Sequence, residues 1–350
     1  MAWFATRSSI AQLKREITIT GGGLAGLSLA IALRTREVPV TVIEAGNYPR
    51  HRVCGEFISG VSRETLKSLG IAELFEDARL QRSIAWFDSG RIILRGSLKQ
   101  PALGISRYRL DQRLVDHFLT LGGILRSGVR CQPDSAEGSV WTAGRRPENG
   151  PWIGLKLHIR GIMSDVDLEM HSGSNGYAGL AGVEDGWINV CGLFRIDREL
   201  RAHPASLLYA YLAAGGLHAL AERIAEAETR PGSVCAVAGF QLGRQRRLPD
   251  VMTLGDAQSM IPPFTGNGMS MAFQAAELAL APLVAWSGGR TSWQQACNGL
   301  HHSLMRHFRR RLAMAQTVHP LLFQNSTRNC LRSLSAGGVL PFHSLLALVR

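Results

Sequence analysis

Hydrophobic and polar positions along this chain first fall into a strand, a glycine turn and a helix. Residues Glu16 to Thr20 form a short β-branched run, Gly21-Gly22-Gly23-Leu24-Ala25-Gly26 follows at once, and an apolar, alanine-rich stretch reads as a helix to about Leu33. Val38 to Ile43 reads as the second strand of a βαβ unit that ends at Glu44. Further on, Pro151 to Arg160, Asp165 to His171, Gly176 to Gly182 and Trp187 to Phe194 read as strands of an antiparallel sheet, with turns at Ser172 to Gly176 and at Glu184-Asp185-Gly186. Glu199 to Ala227 reads as helices interrupted at Gly215-Gly216. Val251 to Leu254 is one more buried strand, leading into Gly255-Asp256, and a further helix begins near Met269.

Composition narrows the class. At 350 residues and 45% hydrophobic, the chain can bury a substantial core. The net charge of +12 rests on arginine, because only Lys14, Lys67, Lys99 and Lys156 are lysines. Residues 301–350 hold seven arginines and no Asp or Glu, so the tail is the basic part. A helix packed on the body with Arg306, Arg309, Arg310 and Arg311 facing outward accounts for this pattern. An anionic membrane surface or an acidic partner could also use it, through the arginines and the apolar stretch Val339 to Val349, as a peripheral contact. No nucleic-acid partner is indicated. Six scattered cysteines give neither a disulfide framework nor metal-ligand spacing, so no metal is expected and a cytoplasmic setting fits best. Arg7, Lys14 and Arg15 precede no apolar run of a secretory signal, and the longest apolar stretch, Ala272 to Trp286, is interrupted by Gln274, Glu277 and Pro282.

The glycine turn carries specific chemistry. Gly21 permits the tight turn, Gly23 lets the backbone approach a pyrophosphate, and Gly26 lets the helix sit close to the strand, while helix N–H groups meet the phosphate charge. Glu44 stands 23 positions after Gly21, where a carboxylate can accept from both ribose hydroxyls and would repel a 2′-phosphate. Downstream, Asp256 offers an acceptor for ribityl hydroxyls. The N–H groups around Gly266-Asn267-Gly268, after Pro262-Pro263-Phe264-Thr265, open a helix whose dipole can stabilise negative charge on a reduced flavin.

This second segment resembles the FAD signature of the para-hydroxybenzoate hydroxylase and geranylgeranyl reductase superfamily. The resemblance implies FAD, held by Gly21, Gly23, Gly26, Glu44, Asp256, Pro263, Gly266, Asn267 and Gly268, and with no His or Cys in a recognisable flavinylation motif the FAD is expected to be non-covalent. Arg107, opening Arg107-Tyr108-Arg109-Leu110-Asp111, matches the superfamily's Arg-x-x-x-Asp segment, whose Arg lies on the pyrophosphate side. The usual Asp-Gly middle motif is missing. Ala143-Gly144-Arg145 resembles a shortened form of it, which leaves a nicotinamide role unsupported. Arg50-His51-Arg52-Val53-Cys54-Gly55-Glu56 resembles the Cys-Gly segment of geranylgeranyl-reductase-like proteins, which implies that Cys54 and Gly55 lie beside the flavin ring as catalytic candidates, with Arg50 and Arg52 lowering the thiol pKa.

The implied fold is α/β: a Rossmann-type, GR2-like FAD-binding domain over residues 1–82, 100–147 and 241–295, an antiparallel-sheet substrate domain over 83–99 and 148–240, and a C-terminal helical segment over 296–350. Tyr177, Trp187 and Phe194 are candidates for an apolar substrate pocket, and His158 and His171 for acid–base groups. Three functions compete. The favoured one is a flavin monooxygenase that hydroxylates an apolar or aromatic small molecule. The others are a flavin-dependent C=C reductase or dehydrogenase, and a flavin-binding redox protein whose basic tail docks a partner. The Tyr-x-Trp-x-Phe-Pro signature of prenyl reductases and the Trp-x-Trp-x-Ile-Pro motif of halogenases are both missing. With no second glycine fingerprint, the electron donor is left open between transient NAD(P)H and an electron-donor protein such as a reductase or a ferredoxin.

Overall fold

In the computed structural model, residues 14–146 and 148–336 are described. Arg7 and the stretch from Val339 to Val349 lie outside them. The first sheet is parallel throughout: β15 (Met252–Thr253), β7 (Ser139–Trp141), β1 (Ile17–Thr20), β2 (Val40–Glu44) and β6 (Ile124–Ser127), in that order. Ile17, Ile19, Val40, Val42, Val140 and Met252 are buried in it, as strands covered on both faces require, whereas β6 at the edge is largely exposed. Helices α1 (Leu24–Arg34) and α3 (Arg107–Thr120) pack with them, and α6 (Gly268–Ser287) packs on α1.

The second sheet follows the order β12 (Glu228–Thr229), β8 (Trp152–Arg160), β11 (Ile188–Arg195), β10 (Gly176–Gly182), β9 (Leu168–Ser172), β4 (Arg79–Asp88), β5 (Arg91–Gly104) and β3 (Phe57–Ile58), with β13 (Cys235–Phe240) also paired to β8. It is mixed rather than purely antiparallel as expected. The β4–β5 hairpin comes from an earlier part of the chain and joins β9 in parallel. That hairpin turns at Ser89 and Gly90, both at positive φ (48° and 79°). A small ribbon of β14 (Gly243–Arg244) and β16 (Ser259–Met260) leads back to the first sheet.

Period-two alternation gives the second sheet two different faces. Leu155, Leu157, Ile159, Leu180, Val190 and Phe194 point to one side and pack under α4 (Leu207–Ala214) and α5 (His218–Ala225). Residues on the other side turn towards the first sheet. The register places Cys235, Lys156, Cys191, Gly179, Met170 and Trp86 in one row across six strands of this inner face. Phe194 is therefore core beneath a helix and not pocket wall. Trp187 precedes its strand, where Arg160 and Arg230 stack over its ring.

Helix α2 (Arg63–Ser68) seats on α6 through Glu277, which accepts from Thr65 and Ser68. Helix α6 runs through Pro282 and, by length and composition only, could cross a membrane, but half of it is buried between α1 and its neighbour α7 (Trp293–Leu321). A capping box of Ser292 and Gln295 starts α7, and α8 (Asn325–Ala336) returns to the β4–β5 hairpin, where Arg328 and Arg332 grip the buried Asp88.

Candidate functional site

A cleft of about 1440 Å³ runs between the two sheets. Its first end is built by the glycine turn. Gly21 has φ +116°, and a Cβ there would lie 2.3 Å from the Thr142 backbone; one on Gly26 would lie 2.0 Å from the Gly21 carbonyl. These two glycines let β1, β7 and α1 approach closely. Gly23 differs from both: a Cβ on it would meet nothing within 4 Å, because it faces the open cleft as the N-cap of α1 and brings no side-chain cap. The first N–H groups of α1 are thus left for a ligand.

Glu44 closes the same end. It accepts from the Gly22 N–H at 2.7 Å, the Gly46 N–H at 3.0 Å and Arg50 at 2.5 Å. Burial pushes its carboxyl up, but Arg52, those N–H groups and Arg50 outweigh burial and hold it below the usual range. Arg107 lines the cleft and forms a bidentate pair with the buried Asp111 at 2.7 and 2.8 Å, while Arg52 reaches Asp111 at 3.0 Å. Ala143, Gly144 and Arg145 line it too, with Arg145 held by the Ala238 and Gly239 carbonyls.

The middle of the cleft gathers Asp256, Pro263, Gly266 and Gly268 on one side and Cys54, Gly55 and Glu56 on the other. Gly266 has φ +66° and packs against Phe57, and α6 begins at Asn267 without a side-chain cap, so its first N–H groups face the cleft. Asn267 itself is fully buried behind them. Asp256 is open to the cleft although protein surrounds it; burial pushes its carboxyl up to about 6, against the pull of Arg107 and Arg145.

Cys54 lines the cleft, but its expected arginine activation does not occur. Arg50 is committed to Glu44 and Arg52 to Asp111. Burial raises the thiol pKa, and the nearby Arg107 does not offset it. Cys191 and Cys235 also line the cleft with thiols pushed up by burial. All three are protonated at neutral pH.

Sequence reasoning missed the group that fixes this turn. Glu56 is fully buried with φ +52°, a conformation that a residue with a Cβ rarely adopts. Its carboxylate accepts from Lys156 at 2.5 Å, His158 at 2.6 Å and the Arg107 N–H at 2.8 Å. Lys156 and His158 are as buried as Glu56. Asn189 holds the Cys54 carbonyl at 3.0 Å. His51 lines the cleft, stacks on Tyr108 and meets the His158 ring edge-on, and burial together with Lys156 and His158 lowers it to about 4, so it is neutral. His158 is thus committed to Glu56. His171 pairs with Glu169 and stacks on Phe87, away from the cleft. The usable signal in the sequence was a lone lysine in an apolar strand, a position lysine occupies only when paired.

The far end is an apolar chamber walled by Trp86, Met170, Tyr177, Leu193, Phe240 and Phe264. His319, on α7, stands behind Tyr177 and Phe264 in edge and stacked contact, and burial lowers it to about 4. No ionised group stands among these six wall residues.

With one parallel and one mixed sheet around such a cleft, the chain has the fold of the FAD-dependent monooxygenases and halogenases. It overlays on PqsL of Pseudomonas aeruginosa, solved with 2-aminobenzoylacetate, at TM-score 0.69 and 15% identity over 91% of this chain and 99% of that one. The flavin-dependent brominase Bmp2 overlays at TM-score 0.74 and 14% identity, covering 96% of this chain and 93% of that one. HpxO of Klebsiella pneumoniae, complexed with FAD and uric acid, overlays at 0.71 and 16%, covering 95% of each. Residues 16–81 match the pyridine nucleotide-disulphide oxidoreductase family model. No curated protein matches the chain.

Ribityl hydroxyls donating to Asp256 would favour its ionised form, so FAD binding below about pH 6 must expel a proton. FAD affinity, read by fluorescence quenching, should be flat above that pH and fall by up to about tenfold per unit below it, and Asp256→Asn should flatten the slope. An unchanged slope in the variant would remove Asp256 from the site. Lys156→Met strands the Glu56 charge and should cost about 3 kcal/mol in denaturant unfolding, with partial recovery in Glu56→Gln/Lys156→Met. A loss under about 0.5 kcal/mol would contradict a tight buried pair.

Proposed function

We propose that the protein is an FAD-dependent oxidoreductase that hydroxylates an apolar or aromatic small molecule and holds its FAD without a covalent bond. One observation carries this reading: a single cleft joins a dinucleotide end, a carboxylate and helix N-terminus in the middle, and an uncharged aromatic chamber. The residues present fit the cofactor. The α1 N-terminus behind Gly23 would take the pyrophosphate, Glu44 the ribose, Asp256 the ribityl chain, and the α6 N–H groups at Gly268 and Met269 the electron-rich edge of the ring. Bound there, FAD would supply two-electron redox chemistry and reaction with oxygen.

The chain's own residues do the rest. Trp86, Tyr177, Phe240 and Phe264 bury a planar substrate and exclude water. Gly154 lets the Val53 and Phe240 side chains pack close onto the sheet beside this chamber. PqsL was solved with 2-aminobenzoylacetate and HpxO with FAD and uric acid. Transient NAD(P)H remains a candidate donor.

C=C reduction is favoured by one specific feature, the protonated Cys54 thiol at the cleft, which could deliver a proton to carbon. Oxygen separates the two readings. With the reduced protein and a panel of small aromatics, product should form only in air and carry label from ¹⁸O₂. Anaerobic turnover of an alkene, without label, would replace hydroxylation by reduction.

A further inference from the structure

Helix α7 turns Leu300, Leu304, Phe308, Leu312, Ala315 and His319 inward. With 3.6 residues per turn, Arg306 and Arg310 point away from that face and Arg309 lies on its flank, and all three are exposed. The loop after β14 runs beside the same helix: Gly243 packs against Gln316, while burial and then the nearby Arg247 and Arg244 lower the pKa of His301. Arg246 is exposed in the same loop. Among the described residues, no carboxylate lies within 4.0 Å of any of these six arginines, although most of the molecule's other buried or half-buried arginines are paired. Helix α7 has no Asp or Glu along its 29 residues. Asp250 and Glu137 lie near Cys297, and Glu277 near His307, at the border of the patch.

The position of this face matters as much as its charge. Phe308, on the inner side of α7, shares one small void with Gly255, Asp256 and Gly268. His319, further along, backs the aromatic chamber. A body resting on the arginines is therefore about one helix diameter, roughly 10 Å, from the middle of the cleft.

We propose that this arginine face docks a small acidic electron-carrier protein, which delivers reducing equivalents through α7 to the cleft. Docking itself needs only the surface; delivery rests on the FAD reading. Each carrier loses one electron, so two encounters, with two protons from solvent, complete one two-electron reduction. Six unpaired guanidinium groups on a rigid helix and its adjoining loop steer an acidic partner from beyond contact and reward close fit with carboxylates. A membrane fits less well, because between His301 and Pro320 no large apolar side chain is exposed to insert, Leu321 alone standing at the end.

The test uses the full-length protein with its flavin, a reduced flavodoxin as donor, and Arg306→Glu/Arg309→Glu/Arg310→Glu. The second-order rate of flavin bleaching without oxygen should fall at least about tenfold between about 20 and about 200 mM salt, and about tenfold or more in the variant. Reduction by dithionite should be equal in both. Binding of oxidised flavodoxin, followed by calorimetry, should weaken in parallel whether or not flavin is present. If flavodoxin binds but the protein carries no flavin, the proposed function fails and the docking surface stands. Equal rates and affinities for both proteins, or no flavodoxin binding, would overturn the docking proposal. So would charge-dependent binding to phosphatidylserine vesicles or duplex DNA that the variant loses while flavodoxin binding is unmoved.

Discussion

One buried anion joins the two halves of this molecule. The Glu56 carboxylate accepts from the first N–H of α3, which belongs to the nucleotide layer, and from Lys156 and His158 on the inner face of the second sheet. Glu184, in the turn after β10, does the same one residue earlier, accepting from the Ser106 N–H at 2.8 Å and from its hydroxyl. Two carboxylates from turns that adjoin β3 and β10 of the second sheet therefore sit at the positive end of one helix that packs with the first. Because neither can be left unpaired without a large desolvation cost, they fix the spacing of the sheets and so the width of the cleft. Glu56 also sets the backbone of the Cys54-Gly55 turn, through a left-handed conformation that its three donors hold in place.

That arrangement explains which parts of the site could be read from the sequence. The Gly21 to Gly26 turn, Glu44 at the end of β2 and the Gly266 to Gly268 helix start are local patterns, because a turn and the helix it opens are encoded within a few residues. The strands from 152 to 195 and the helices broken at Gly215-Gly216 were legible for the same reason. The β4–β5 hairpin was marked by Ser89-Gly90 and was not read as strands; its long, half-polar alternation marks a sheet edge region, where patterning is weak. What could not be read was register. Which aromatic faces the cleft depends on a shift of one residue, so Tyr177 lines it while Phe194 lies under a helix. The Lys156 pairing joins residues 100 positions apart, and the fate of Arg50 and Arg52 depended on where Glu44 and Asp111 came to rest.

The site is graded in charge from end to end. Its dinucleotide end is rich in paired arginines and carboxylates, its middle holds Asp256 and a helix N-terminus, and its far end has aromatic and thioether walls. Half-buried thiols at Cys54, Cys191 and Cys235 stay protonated and add bulk without charge. Outside, α7 carries a basic surface on one side and backs both the middle and the far end of the cleft on the other.

The central claim is that this cleft holds FAD without a covalent bond. Precipitating the purified yellow protein with acid and identifying the released flavin tests it most directly. FAD in the supernatant over a colourless pellet is the expected result. FMN, colour retained in the pellet, or a protein purified without any flavin that fails to bind added FAD would contradict it.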